Sequence, residues 1–172
     1  MRIVLLLIIL ELVRSSFDSQ GRLQQLELAH KASEQGGATI VVRGANDIVV
    51  LNSKNPSERT ATQYQTCNIH TISRNCFVTF SGVVSDTVHL TEKLVSDARD
   101  HESLFGTSPT INRLTTDLAN YMHEKTLYSG TRPFGAKLCL FGVDKASEKM
   151  KVFEIDPTGS YRECSISCLG NE

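Results

Sequence analysis

A chain of 172 residues is long enough for one domain with a sizeable core. Its 18 basic and 19 acidic residues leave a net charge of −1, which argues against a nucleic-acid partner or an anionic membrane surface. The five cysteines, Cys67, Cys76, Cys139, Cys164 and Cys168, are odd in number and include no Cys-x-x-Cys pair. They lack the spacing of a zinc site and read as reduced, mostly buried thiols of an intracellular protein.

Residues 3–10 are an apolar run behind Arg2, too short for a transmembrane helix. The run has the charged start and apolar middle of a signal peptide, without a clear small-x-small cleavage site. Residues 1–16 therefore read three ways: a weak signal peptide, a buried N-terminal strand or helix, or a misplaced translation start. Residues 17–33 read as a helix. Gly21 allows the turn in, and Leu23, Leu26, Ala29 and Ala32 recur every three residues. Gln35-Gly36-Gly37 stops it.

Residues 38–43 and 48–53 are β-rich runs around Gly44-Ala45-Asn46-Asp47, a hairpin signature. Residues 55–65 are polar and read as a loop. Ile69 and Ile72 mark a short strand, and residues 76–80 another that stops at Ser81-Gly82. Val84, Val88, Val95 and Ala98 share one helical face, which predicts a second helix over 83–104 ended by Gly106. Ser108 reads as an N-cap with Pro109 at the first helical position. Ile111, Leu114, Leu118 and Tyr121 or Met122 carry the third helix to about Lys125.

Gly130-Thr131-Arg132-Pro133-Phe134-Gly135 is a turn-forming stretch that leads into an apolar strand, with residues 138–143 suited to cover on both faces. A strand over 150–155 closes on Asp156-Pro157-Thr158-Gly159, with Pro and Gly where a type I turn favours them. Residues 161–169 read as one further strand, on which Cys164 and Cys168 share a face. By pattern alone this block is a three-stranded meander. The order is helix, four strands, two helices, three strands. It predicts an α+β fold of two antiparallel sheets packed face to face with helices outside.

The strings themselves are more specific. Arg132-Pro133-Phe134-Gly135, a strand ending Gly142-Val143-Asp144, then Asp156-Pro157-Thr158-Gly159-Ser160-Tyr161 resembles the α-type subunits of the proteasome core particle. So do Gly21, Arg22, Gln25, Glu27 and Ala29, which match a helix motif Gly-Arg-x-x-Gln-x-Glu-Tyr-Ala with Leu28 in place of the tyrosine. Phe17-Asp18-Ser19 stands where the family has Phe-Ser-Pro. Ser81-Gly82 with Asp86 is similar to the family's Ser-Gly-Leu-x-Ala-Asp-Ala-Arg. Thr126-Leu127-Tyr128-Ser129 is similar to the seventh α type. The resemblance spans residues 17 to 170.

That resemblance implies a four-layer αββα sandwich of the Ntn-hydrolase type, with residues 17–172 as the α-type domain. Family members continue with more helices and strands beyond the position of Gly170, so one outer helical layer is expected to be missing. The implied function is structural and non-catalytic: building the outer heptameric ring, gating substrate entry and docking activators in ubiquitin-dependent protein degradation. The implied partners are other α-type subunits, β-type subunits and regulatory ATPases, in cytoplasm and nucleus, with no cofactor and no metal. Gly21, Arg22, Gln25, Leu26 and Glu27 are the implied subunit contacts, the helix packing on a neighbouring subunit rather than on this chain's core. Arg132, Pro133, Phe134, Gly135, Asp156, Pro157 and Gly159 are the implied fold-defining loops. Replacement of the family's proline and tyrosine, and the absence of its Tyr-Asp-Arg tail, predict an altered gate.

Catalysis in this fold class needs a threonine hydroxyl activated by its own free α-amine. Here the strand begins Gly36-Gly37-Ala38-Thr39, and a cut before Thr39 would remove the first helix. Active relatives use an Asp and a Lys where Asn52 and Asn68 stand, and neither asparagine supplies charge. His30, His70, His89, His101 and His123 fall on different elements and suggest no triad or metal site. Two rival readings follow: a free-standing N-terminal-nucleophile amidohydrolase matured by cleavage at Thr39, and a small secreted protein.

Overall fold

The computed structural model describes residues 17–53, 68–128, 130–144 and 148–171. The readings of 1–16 and 55–65, and Cys67, lie outside the described residues. In chain order the elements are α1 (Gln24–Ser33), β1 (Thr39–Arg43), β2 (Ile48–Asn52), β3 (Ile69–Ser73), β4 (Cys76–Gly82), α2 (Val84–Phe105), α3 (Ile111–Leu127), β5 (Ala136–Asp144), β6 (Lys149–Ile155), β7 (Tyr161–Glu163) and β8 (Ile166–Leu169).

The strands make two antiparallel sheets, ordered β2-β1-β8 and β3-β4-β5-β6-β7. β5 lies at the centre of the larger sheet, buried on both faces as its apolar run requires. One face, carrying Val78, Leu138, Leu140 and Ile155, is covered by Leu90, Leu94 and Ala98 of α2 and Leu114, Leu118 and Met122 of α3. Each fully buried leucine contributes about 1.5–3 kcal/mol, so packing rather than propensity holds these helices. The other face presents Cys139, Phe141 and Val152 to Val41 and Leu169 of the smaller sheet. The described residues thus form helix, sheet and sheet, three of the expected four layers. The outer face of the smaller sheet exposes Ile40, Val49, Leu51 and Ile166.

Four local expectations change. The first helix starts only at Gln24, because the Asp18 carboxylate accepts from the backbone N–H of Gln20 and of Arg22, each at 2.8 Å. Short polar side chains compete with a helix for backbone donors in this way, and Gly21 (φ +74) completes the turn. The second helix buries Thr87, Leu90, Leu94 and Ala98, while Val84 and Val88 face solvent. The third helix is capped by Thr110, whose hydroxyl accepts from Arg113 N at 3.3 Å; Ser108 instead donates to Glu102. The run 161–169 is two strands in different sheets, with the crossing at Cys164-Ser165. Cys164 is therefore half-buried against the inter-sheet core while Cys168 is exposed, and they share no face.

Candidate functional site

The Arg132-Pro133-Phe134-Gly135 loop is fastened by Asp86 in the first turn of α2. Asp86 Oδ1 and Oδ2 accept from Arg132 Nη2 and Nη1, both at 2.7 Å, and Oδ2 also accepts from Gly135 N at 2.9 Å. The Arg132 bond holds the Asp86 carboxyl below its usual range, against desolvation that pushes it up. A carboxylate here also suits the positive end of the helix dipole. Two strings singled out separately in the sequence are thus one structural unit.

Gly82 lets this unit close. Its φ is +117, and a Cβ there would collide with Gly135 O and lie 2.9 Å from Ser33 Cα. Val83 N donates to Gly135 O at 2.9 Å. Gly135 in turn lies against Ala32, where a Cβ would sit 3.1 Å from the alanine methyl. The C-terminal half of α1, with Ala29 and Ser33 buried, therefore rests on this chain's own β4 and β5. The expectation that α1 stands apart from the core does not hold for this half.

The second loop faces the other half across a groove. Gly159 N donates to Asp156 O at 2.9 Å, closing the turn expected from Asp156-Pro157-Thr158-Gly159, with Pro157 buried. Gly159 (φ +80) approaches α3 so closely that a Cβ would lie 2.7 Å from His123 N. His123 Nδ1 donates to Thr158 O at 3.1 Å. Beside this contact Leu26 of α1, Asn120, His123 and Thr126 of α3 and residues Thr158, Gly159 and Ser160 line a groove of about 410 Å³.

The two sets of sequence-selected residues therefore converge on α1. The first loop packs on its C-terminal half and the second faces Leu26 across the groove, with Leu26 and Gln25 half-buried. Gly21, Arg22, Glu27 and Leu28 are left on the outside. Arg22 and Glu27 form an exposed pair at 3.7 Å, a contact of little energetic weight. Leu28, which stands in place of the family's tyrosine, is 56% exposed.

Thr39 is fully buried inside the chain and pairs with Asn52 across β1 and β2. It has no free amine, and neither Asn52 nor Asn68 can carry the charge that would tune a nucleophile. Among the described residues no three His, Cys, Asp or Glu side chains converge as metal ligands.

Sequence reasoning missed the buried Glu154. Its carboxylate accepts from Lys137 Nζ and Arg162 Nη2, each at 2.9 Å, and from Ser167 Oγ at 2.6 Å. Burial pushes its pKa up, and these partners bring it below the usual range. The signal was an acidic residue inside the otherwise apolar Val152-Phe153-Glu154-Ile155. Its partners come from other strands and could not be read locally.

The family described as Proteasome subunit matches residues 33–172. The chain is 30% identical over 156 residues to Proteasome subunit alpha type-2 of Caenorhabditis elegans, covering 91% of this chain and 66% of that protein. It is 27% identical over 150 residues to Proteasome subunit alpha type-3 of Dictyostelium discoideum, covering 87% and 60%. To Proteasome subunit alpha type-3 of Arabidopsis thaliana it is 29% identical over 149 residues, covering 86% and 59%. The chain thus spans about three fifths to two thirds of the length of these relatives. They are types 2 and 3, so the expected likeness to the seventh type gains no support. The chain belongs to the proteasome subunit family, among its α types.

Proposed function

We propose that this chain is a non-catalytic structural subunit of the outer α ring of the proteasome core particle. The observation that carries the reading is α1, packed from within on the Arg132–Gly135 loop and strands β4 and β5, while Arg22, Glu27 and Leu28 remain outside. A helix of this length is marginal in water without packing. An ordered helix with an apolar residue on its free side fits a contact with a neighbouring subunit. Val84 and Val88 form a second exposed apolar stripe at the start of α2, suited to a further contact. The partners on this reading are other α-type subunits and β-type subunits, in cytoplasm and nucleus.

The same reading accounts for Thr39. Freeing it as a nucleophile would cut away α1 and the Gly36 backbone against which Ser81 rests. Asn68 stands where the family has the lysine beside which activator tails insert, so docking of regulatory ATPases at this subunit is weak. Substrate gating is altered likewise, since Leu28 replaces the tyrosine of the gate contact.

Leu28→Asp tests the proposal. The residue contributes little to this chain's own packing, so the variant should melt like wild type. It should nevertheless fail to co-purify with co-expressed α-type and β-type partners. Incorporation at the wild-type level would refute the ring-contact role of α1.

A further inference from the structure

The space between the two sheets changes character along its length. One end is apolar: Phe77, Phe141 and Val152 face Ile48 and Val50. The other end, where β1 begins, gathers Thr39 and Asn52 from the smaller sheet and Thr79 and Ser81 from the larger. Thr39 and Asn52 are register partners, so they share the inner face with Val41. Thr79 and Ser81 alternate with Val78 and Phe80, which point to the helices, so both face the smaller sheet. β1 lies against β4, and Ser81 Oγ lies 2.7 Å from where a Cβ on Gly36 would be.

Thr39 and Thr79 are 0% exposed and Ser81 is 4% exposed. Yet Thr39 Oγ1, Thr79 Oγ1, Ser81 Oγ and Asn52 Oδ1 have no hydrogen-bond partner. Buried polar groups are nearly always paired, and each orphan would cost about 1–3 kcal/mol. Four at one end of one layer would be a large fraction of a domain's stability.

We infer that this end of the inter-sheet space is a hydration site, in which ordered water joins the two sheets through Thr39, Asn52, Thr79 and Ser81. Water fits the donor and acceptor pattern. Asn52 Oδ1 only accepts, whereas the three hydroxyls both donate and accept. A bound anion would leave the Asn52 oxygen without a donor. A bound cation would be repelled by Lys137, which pairs with Ser81 in register and lies on Glu154 at 2.9 Å. Glu154 and Asp156 together balance Lys137 and Arg162, which leaves no uncompensated charge to call in an ion. A buried water typically makes about three hydrogen bonds to otherwise unsatisfied groups, which this set supplies.

Thr79→Val and Ser81→Ala in the full chain give opposite signs for a wet and a dry site. With water present, each variant removes a hydrogen bond, and the folding equilibrium should weaken about two- to tenfold. In a dry site each removes an orphaned hydroxyl, and stability should be unchanged or raised; that result overturns the inference. Should either variant fail to fold, the wild-type chain still decides. Cross-peaks between long-lived water and the Thr39 and Thr79 methyl protons are expected in a rotating-frame Overhauser spectrum, and their absence refutes the site.

Discussion

Replacing Asp86 by Asn removes the charge that fastens the Arg132 loop to α2 while leaving the side chain's shape. The carboxylate is 6% exposed and the Arg132 side chain 59% exposed, so the two halves of the interaction are unequal. Water already competes at the guanidinium, which limits that pair to about 0.2–1 kcal/mol. The bond from Gly135 N to a buried carboxylate is charge-assisted and contributes about 1.5–3 kcal/mol. The asparagine keeps one oxygen that can accept from Gly135 N, so the variant should lose the charge assistance and the Arg132 pair, about 2 kcal/mol, or about 4–8 °C in Tm for a chain of this size. The pH dependence carries the sign. Asp86 titrates below its ordinary value in the folded chain, so its contribution is complete above pH ~4 and disappears as pH falls through the lower folded-state value. Thermal melts of wild type and Asp86→Asn should differ most near neutrality and converge in acid. A Tm loss under about 2 °C at pH 7, or a gap that widens in acid, would refute this account of the loop.

Gly82→Ala should cost about 2–4 kcal/mol, because the new methyl meets backbone of Gly135 and Ser33 in a left-handed conformation; a wild-type melt would contradict the close approach. The exposed Ile40, Val49, Leu51 and Ile166 should make the purified chain self-associate, and a monodisperse monomer by light scattering would count against that. Incubation with a threonine-directed covalent inhibitor should leave this chain unlabelled, since Thr39 is internal and buried; a labelled Thr39 would reverse the non-catalytic reading.

Elements whose cause is local were legible in the sequence. The β1–β2 hairpin follows from Gly44-Ala45-Asn46-Asp47, where Gly44 N donates to Asp47 O at 2.8 Å. The Asp156–Gly159 turn follows from its proline and glycine. β5 follows from an apolar run that only a doubly covered strand accommodates. What failed depended on distant partners. Nothing in residues 161–169 announces that the chain leaves one sheet at Cys164 and joins β1 of the other. Valines at 84 and 88 imitate a helical stripe, but the sheet below receives Leu90 and Leu94 instead. The start of α1 was masked by the competition of Asp18 for backbone donors. Of the site, the clamp was present in the strings Asp86 and Arg132-Pro133-Phe134-Gly135. That these residues grip each other across α2, α3 and their connections could be seen only in three dimensions.

The crossing at Cys164-Ser165 also sets an order of events. The larger sheet and its two helices are built from residues between Ile69 and Glu163, mostly through strands joined to their sequence neighbours. The smaller sheet joins a hairpin near the start of the chain to β8, with Thr39 opposite Leu169. Contacts of such long sequence separation form slowly, because the entropy of closing the intervening chain must be met first. As the chain emerges from the ribosome, the β1–β2 hairpin must wait with the other edge of β1 unpaired until β8 has been made. Val41 is then open to other chains, beside Val49 and Leu51, which stay exposed in the finished fold. The helix-backed half can fold from neighbouring segments, and the half that seals the inner core depends on β8, more than a hundred residues after β1.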